Sequence, residues 1–268
     1  MAHNEYNATV VQRVEVAPGL VILRVVPDHP ITFEPGQYTV LGLKRSAPRV
    51  VESEVEEPQE DPEKMIRRAM SIASSSKSGE YLEFYLTLVG SGELSPRLFN
   101  LRIKDRLYVG PKATGIFTLE RVPAGHHALL VATGTGLAPY MSMLRSELVC
   151  GGARRFVVLH GARYSWDLGY RTELISLDRL CPNMTYIPAI SRPQEDPTWK
   201  GRSGYLQDVL FSGVVEELTG LPLTPDTFHV FLCGNPGMID AAKAGLITRG
   251  FACDKGREIG TIHMEEYW

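Results

Sequence analysis

Six residues, Gly134-Thr135-Gly136-Leu137-Ala138-Pro139, stand between a short apolar run at 128–132 (ALLVA) and a helical pattern at 140–149. Strand, glycine turn and helix in that order are the setting of a dinucleotide pyrophosphate site. Glycines let the backbone come close to the phosphates, and a helix start offers amides without partners and the positive end of its dipole. The turn departs from the usual GxGxxG pattern, because Pro139 takes the third glycine position. The next strand ends in His160-Gly161-Ala162-Arg163, with no acid for a ribose 2′-hydroxyl. A further strand ends in Ser191-Arg192, and Arg202 follows ten residues later. All lie at or just beyond the carboxyl ends of parallel strands, where open α/β sheets bind ligands. Arginine matches phosphate with paired hydrogen bonds and serine adds a donor, so the set points to a 2′-phosphate and to NADP rather than NAD. Taken singly, each arginine also reads as an ordinary loop residue.

Other groups carry weaker signals. Cys233, in Cys233-Gly234-Asn235-Pro236-Gly237, reads first as a buried core thiol, and its place at a strand's carboxyl end leaves open a contact with a reacting ring. In Arg68-Ala69-Met70-Ser71, Arg68 could hold a phosphate and Ser71 could bond a ring nitrogen; alone, the four residues are a strand edge. Gly92-Glu93-Leu94-Ser95-Pro96-Arg97 resembles a second phosphate cradle, with Ser95 capping a helix start; a plain capped helix is the simpler reading. The chain ends in Glu265-Glu266-Tyr267-Trp268, and two adjacent terminal aromatics make more sense stacked on a flat cofactor than frayed.

The elements that must position these residues change character along the chain. Residues 9–16, 20–26, 37–43, 70–73, 81–89 and 106–109 read as short strands parted by Gly, Pro and Ser turns, which suggests a small antiparallel barrel. After Val122-Pro123-Ala124-Gly125, strands at 128–132, 156–160, 184–190 and 228–232 alternate with helices at 140–149, 168–180, 206–217 and 235–250. That alternation predicts a parallel sheet covered on both faces. The expected domains are therefore 1–122 and 123–268.

Composition narrows the rest. With 44% apolar and 22% charged residues the chain is globular, and no apolar run reaches the roughly 18 residues of a membrane span. The N-terminus lacks the pattern of a secretory signal. The four cysteines, Cys150, Cys181, Cys233 and Cys253, form no CxxC pair, so neither an iron–sulfur cluster nor a zinc site is expected. They read as scattered thiols of a reducing cytoplasm, not as a disulfide scaffold. Redox chemistry must then come from an organic cofactor. A net charge of −3 argues against nucleic-acid binding. Residues 52–63 hold seven acids and no base, and are expected to form a flexible, exposed loop between two strands; outside them 28 basic residues face 24 acidic ones, a body to which an acidic partner could be steered.

Together, RAMS at 68–71, GELSPRL at 92–98, ATGTGLAPYMS at 132–142, HGARY at 160–164, SR at 191–192, GR at 201–202, LCGNPGM at 232–238 and the terminal YW resemble the bacterial ferredoxin (flavodoxin)–NADP reductase family over nearly the whole chain. The resemblance implies a two-domain α+β protein, with an N-terminal six-stranded antiparallel FAD barrel and a C-terminal α/β NADP domain. It implies that Arg68, Ala69, Met70 and Ser71 support the flavin and its phosphate, that Tyr85 and Thr87 line the flavin, and that Gly92, Glu93, Leu94 and Ser95 hold the FAD pyrophosphate. Thr135 would lie between the cofactors. Ala162, Arg163, Ser191, Arg192 and Arg202 would hold NADP(H), and Tyr267 and Trp268 would cover the FAD rings. Two features depart from the family: Met70 replaces its usual tyrosine, and the acidic stretch at 52–63 is longer than its norm.

The implied activity is hydride transfer between NADP(H) and flavin N5, with electrons passed singly to ferredoxin or flavodoxin. Ser71 would bond near N5, Cys233 would pack by the nicotinamide, and Glu266 would tune protonation. A cytoplasmic monomer is expected, without nucleic-acid or membrane partners and without a metal. Two other readings compete: the reductase component of an oxygenase or a stand-alone flavin reductase, and a non-catalytic module that senses redox state.

Overall fold

A computed structural model describes residues 5–57, 61–255 and 258–266. The chain divides into two compact units, Met1–Ile116 with Met141–Ser146, and Phe117–Tyr140 with Glu147–Trp268.

The first unit holds β1 (Ala8–Ala17), β2 (Leu20–Pro27), β3 (Tyr38–Lys44), β4 (Met65–Ser71), β5 (Leu82–Thr87), the short helix α1 (Ser95–Asn100) and β6 (Arg106–Val109). They form one six-stranded antiparallel sheet in the order β4-β3-β6-β1-β2-β5. The β1–β2 hairpin turns at Pro18-Gly19, where φ of +77° favours glycine. Beyond β4, the Ala73 amide donates to the Glu83 carbonyl of β5 at 2.8 Å, drawing the two edge strands together. Val10, Leu23, Leu41, Phe84 and Leu107 fill the interior, each contributing about 1.5–3 kcal/mol by burial.

Strand β5 explains why its sequence alternates only roughly. Leu82, Phe84 and Leu86 join the core, yet Glu83 and Tyr85 on the other face are buried too. Glu83, 0% exposed, receives Arg24 Nε and Arg145 Nη1, each at 2.6 Å. Strand β4 starts five residues before the expected 70–73 and ends two residues short of it.

The acidic stretch is exposed, as expected, at Glu52, Glu54, Glu57, Asp61 and Glu63, and it carries an anchor that the sequence did not show. It does join two strands, β3 and β4, but its start is held down. Glu56 pairs with Arg97 at 2.5 Å and with Arg49 at 3.3 Å, and Glu54 N donates to Gly90 O at 3.1 Å. Arg97 is itself only 2% exposed, so it is a buried cation that needs an acid. The composition argument counted apolar side chains and could not anticipate an ionic anchor. Glu56 consequently sits below the usual carboxylate range, chiefly through its hydrogen bond from Arg97. Residues 58–60 lie outside the described residues.

The second unit is built on β7 (His127–Thr133), β8 (Phe156–Ala162), β9 (Met184–Ile190), β10 (Arg202–Ser203), β11 (Phe228–Cys233) and β12 (Ile262–Glu265), all parallel, in the order β10-β9-β8-β7-β11-β12. Between them run α2 (Ala138–Glu147), whose residues Met141–Ser146 group with the first unit, α3 (Arg171–Leu180), α4 (Leu206–Leu210), α5 (Val214–Thr219) and α6 (Pro236–Thr248). On one sheet face Leu129, Val131, Leu159 and Val230 pack with Leu210, Val215, Ile239 and Leu246. By the two-residue period of a strand, the other face carries His160, Tyr186, His229, Phe231, Cys233 and His263. The helical stretch expected at 206–217 is two helices, broken where Gly213 takes φ +87°. Pro236 stands in the first turn of α6, where its missing N–H costs nothing, and Asn235 caps the helix by accepting from Met238 N. The short strands β10 and β12 carry no sequence signal of their own. Among the described residues no helix is long and apolar enough to cross a membrane.

The cysteine reading also needs correction: Cys150 and Cys181 form a disulfide, and Cys233 and Cys253 are free. Helices α2 and α3 connect the neighbouring strands β7, β8 and β9. Right-handed crossovers put both on one side of the sheet, so that their carboxyl ends converge. Asn183 secures that corner, donating to Val149 O and Arg154 O and accepting from Gly151 N. A spacing of 31 residues could not reveal this.

Candidate functional site

In the parallel sheet the chain order reverses between β7 and β11, and a switch point of this kind opens a ligand crevice at the strands' carboxyl ends. The two glycines after β7 serve different needs there. A Cβ on Gly136 would lie 2.4 Å from Cys233 O, so Gly136 lets the turn pack against the end of β11. Gly134 takes φ +54°, and a Cβ there would meet nothing within 4 Å. The lock is mutual: Thr133 Oγ1 accepts from Asn235 N at 2.7 Å, and a Cβ on Gly234 would collide with that same oxygen. Thr135 follows Gly134, half-buried.

Cys233 ends β11 with 0% exposure. Burial, helped by the Glu265 carboxylate, pushes its thiol well above the ordinary range, so it stays neutral and is no nucleophile. In the parallel register Cys233 stands opposite Glu265, whereas Glu266 lies exposed past the end of β12. Tyr267 and Trp268 lie outside the described residues.

The expected phosphate residues are brought together on two loops stitched side by side. Ser191 N donates to Ala162 O at 2.9 Å and Arg192 N to Arg163 O at 3.0 Å, continuing the β8–β9 ladder. Asp196 accepts from Ser165 N at 2.8 Å, and these bonds, chiefly that to Ser165, hold its carboxyl below the usual range. Strand β10 sets Arg202 opposite Ala189, two positions before Ser191. Each arginine already has an acidic neighbour: Asp167 at 3.5 Å from Arg163, Glu195 at 3.9 Å from Arg192 and Glu217 at 3.6 Å from Arg202. All three pairs are solvent-exposed on the arginine side and worth at most about 1 kcal/mol, so an arriving phosphate can displace them. Tyr164 entered the sequence reading only as the last residue of HGARY, without a role, and Trp199 did not enter it. Tyr164 bonds Arg192, and Trp199 donates its ring N–H to Arg202 O at 2.8 Å.

In the antiparallel unit, Arg68 Nη2 reaches Glu93 Oε2 at 2.8 Å, joining β4 to the segment at 92–95. Ala69, Met70 and Ser71 pair with Val40, Thr39 and Tyr38, and all three are partly exposed. Ser95 is not the cap expected of it. It is the first residue of α1, and its hydroxyl bonds the Val89 amide and carbonyl instead. Gly92 N is engaged by Val89 O, but among the described residues the amides of Glu93, Leu94 and Ser95 bond no acceptor. Three such amides beside Arg68 suit a pyrophosphate. Thr87 is exposed, with its hydroxyl on Gly19 O, and Tyr85 is 3% exposed.

Residues 130–244 match the family described as Oxidoreductase NAD-binding domain. The flavodoxin/ferredoxin–NADP reductase of Escherichia coli is 33% identical to this chain, over 89% of each protein. The protein of that name from Buchnera aphidicola is 31% identical, over 92% of this chain and 93% of its own length. A ferredoxin NADP+ reductase structure from Neisseria gonorrhoeae, with bound FAD and NADP, superposes with a TM-score of 0.81 at 23% identity over 97% of both chains.

Proposed function

The chain belongs to the flavodoxin/ferredoxin–NADP reductase family, and from that premise we propose that it carries FAD and moves electrons between NADP(H) and ferredoxin or flavodoxin. The observation that supports this reading best is the pair of stitched loops, which set Arg163, Ser191, Arg192 and Arg202 along one edge of the parallel sheet. That donor set fits a 2′-phosphate dianion. The open space at Gly134 fits the close approach of a pyrophosphate. In the other unit, Arg68 and the amides of Glu93, Leu94 and Ser95 fit the FAD pyrophosphate.

Bound FAD supplies the link between a two-electron hydride donor and a one-electron carrier. The protein's residues hold and orient. Arg192 and Arg202 grip the nucleotide's 2′-phosphate, with Ser191 as a further donor. Ser71 would offer the flavin a hydroxyl hydrogen bond, and Met70, part of whose side chain packs on the barrel core, would offer its polarizable sulfur. Cys233, buried under the turn after β7, keeps its proton and would back the nicotinamide pocket as a small neutral side chain. Glu266, exposed just past the end of β12, would hold a proton there.

The visible spectrum of the purified protein tests this. Flavin bands bleached much faster by NADPH than by NADH, without oxygen, are expected. A colourless protein that cannot be reconstituted with FAD overturns the reading.

A further inference from the structure

We propose that Tyr164 is a positioning residue that sets the preference for a 2′-phosphorylated nucleotide, by holding Arg192 in place while occupying the carboxylate that would otherwise neutralise it. The inference rests on the loops at 162–167 and 191–202 being the 2′-phosphate site.

The hydroxyl of Tyr164 lies between two groups of opposite charge. It donates to Glu195 Oε2 at 2.6 Å and accepts from Arg192 Nη1 at 3.1 Å. A phenol has one proton. With that proton given to Glu195, its lone pairs are left for the guanidinium, so both bonds form together without conflict. The ring is fixed independently, stacked on Trp166 with centroids 4.7 Å apart and planes 14° apart. The Arg163 and Arg192 guanidinium carbons lie 5.9 and 5.8 Å from its centroid, within reach of the ring's attraction for cations. Two cations that repel each other are thus gathered at one ring.

Glu195 gives the hydroxyl its second task. Its other oxygen, Oε1, stays 3.9 Å from Arg192, too far for a hydrogen bond. Without the phenol hydroxyl, the carboxylate loses its donor and Arg192 loses its acceptor, and the two would close on each other. Arg192 would then meet the phosphate already neutralised. Removing the hydroxyl therefore weakens phosphate binding twice over, while the ring and its stacking survive.

The test measures binding of 2′,5′-ADP and of 5′-AMP to the FAD-loaded protein by calorimetry, for the wild type, Tyr164→Phe and the double variant Tyr164→Phe/Glu195→Gln. The wild type is expected to prefer 2′,5′-ADP. Tyr164→Phe should bind 2′,5′-ADP about 5–20-fold more weakly, the range of one charge-assisted hydrogen bond with its partner left mispaired. Its affinity for 5′-AMP should stay within about twofold, and its KM for NADPH should rise at unchanged kcat. The double variant should recover to within about threefold of the wild type, because no carboxylate remains to capture Arg192. Wild-type affinity for 2′,5′-ADP in Tyr164→Phe overturns the proposal, as does equal weakening toward both nucleotides or a double variant no better than the single one. A wild type indifferent to the 2′-phosphate overturns instead the reading of the loops on which the proposal stands.

Discussion

Replacing Gly136 by alanine tests how the turn after β7 and the end of β11 are built. The added Cβ would stand 2.4 Å from Cys233 O, 2.6 Å from Cys233 C and 2.8 Å from Gly234 N, all backbone atoms. Ordinary contact needs roughly 1 Å more, and neither side yields easily. Leu137, the next residue, is fully buried, and β11 is hydrogen-bonded on both edges, to β7 and β12. Overpacking of this kind costs about 1–3 kcal/mol. For a unit of this size that lowers the melting midpoint by about 3–10 °C. The displaced backbone carries Cys233, and a misplacement of about 1 Å at a reacting centre costs up to about a hundredfold in rate. Thermal melts and anaerobic stopped-flow reduction of the flavin by NADPH read the two effects. Gly134→Ala is the control for the melts alone: its Cβ meets no protein atom, so only the strain of φ +54° remains, about 1–2 kcal/mol. A Gly136→Ala protein with wild-type melting and flavin reduction within twofold would refute this account of the turn.

Three further outcomes follow from the structure. Glu83→Gln should destabilise the antiparallel unit by about 2–4 kcal/mol in denaturant titrations, because Arg24 and Arg145 lose their shared buried partner; Arg24→Ala should cost less, since Arg145 still pairs. Thiol titration of the denatured, unreduced protein should count two reactive cysteines, Cys233 and Cys253, and reduction should lower the melting midpoint, the 31-residue loop closed by Cys150–Cys181 being worth about 3–4 kcal/mol of chain entropy; four reactive thiols would remove the pair. The parallel unit should lose stability in acid. His229 and His263, with Nδ1 and Nε2 2.9 Å apart, are each held down to about 4, first by burial and then by neighbouring charges, His126 for His229 and His229 for His263. Between pH 6.5 and 4 the unfolded chain takes up protons that the folded one refuses, so stability present above pH 6.5 is lost as pH falls, by on the order of 1–3 kcal/mol for each histidine. Melting midpoints that stay flat from pH 7 to 4.5 would contradict this.

The sequence by itself determined the kind of fold and most of the chemistry it could host. Short strands with Gly and Pro turns, followed by apolar strands alternating with helices, specify an antiparallel sheet and then a parallel one, because local periodicity decides which faces can be buried. Arginines at 163, 192 and 202 were legible as a set because carboxyl ends of parallel strands share one edge. Only the tertiary structure decided which residues stand beside them. Tyr164 and Glu195 lie 31 positions apart, as do Cys150 and Cys181, and Glu56 meets Arg97 across 41. Cys233 faces Glu265 only because a four-residue strand, too short to announce itself, pairs beside β11. Such contacts follow from crossover geometry and strand register, and these are settled when the chain packs, not by any local pattern of residues.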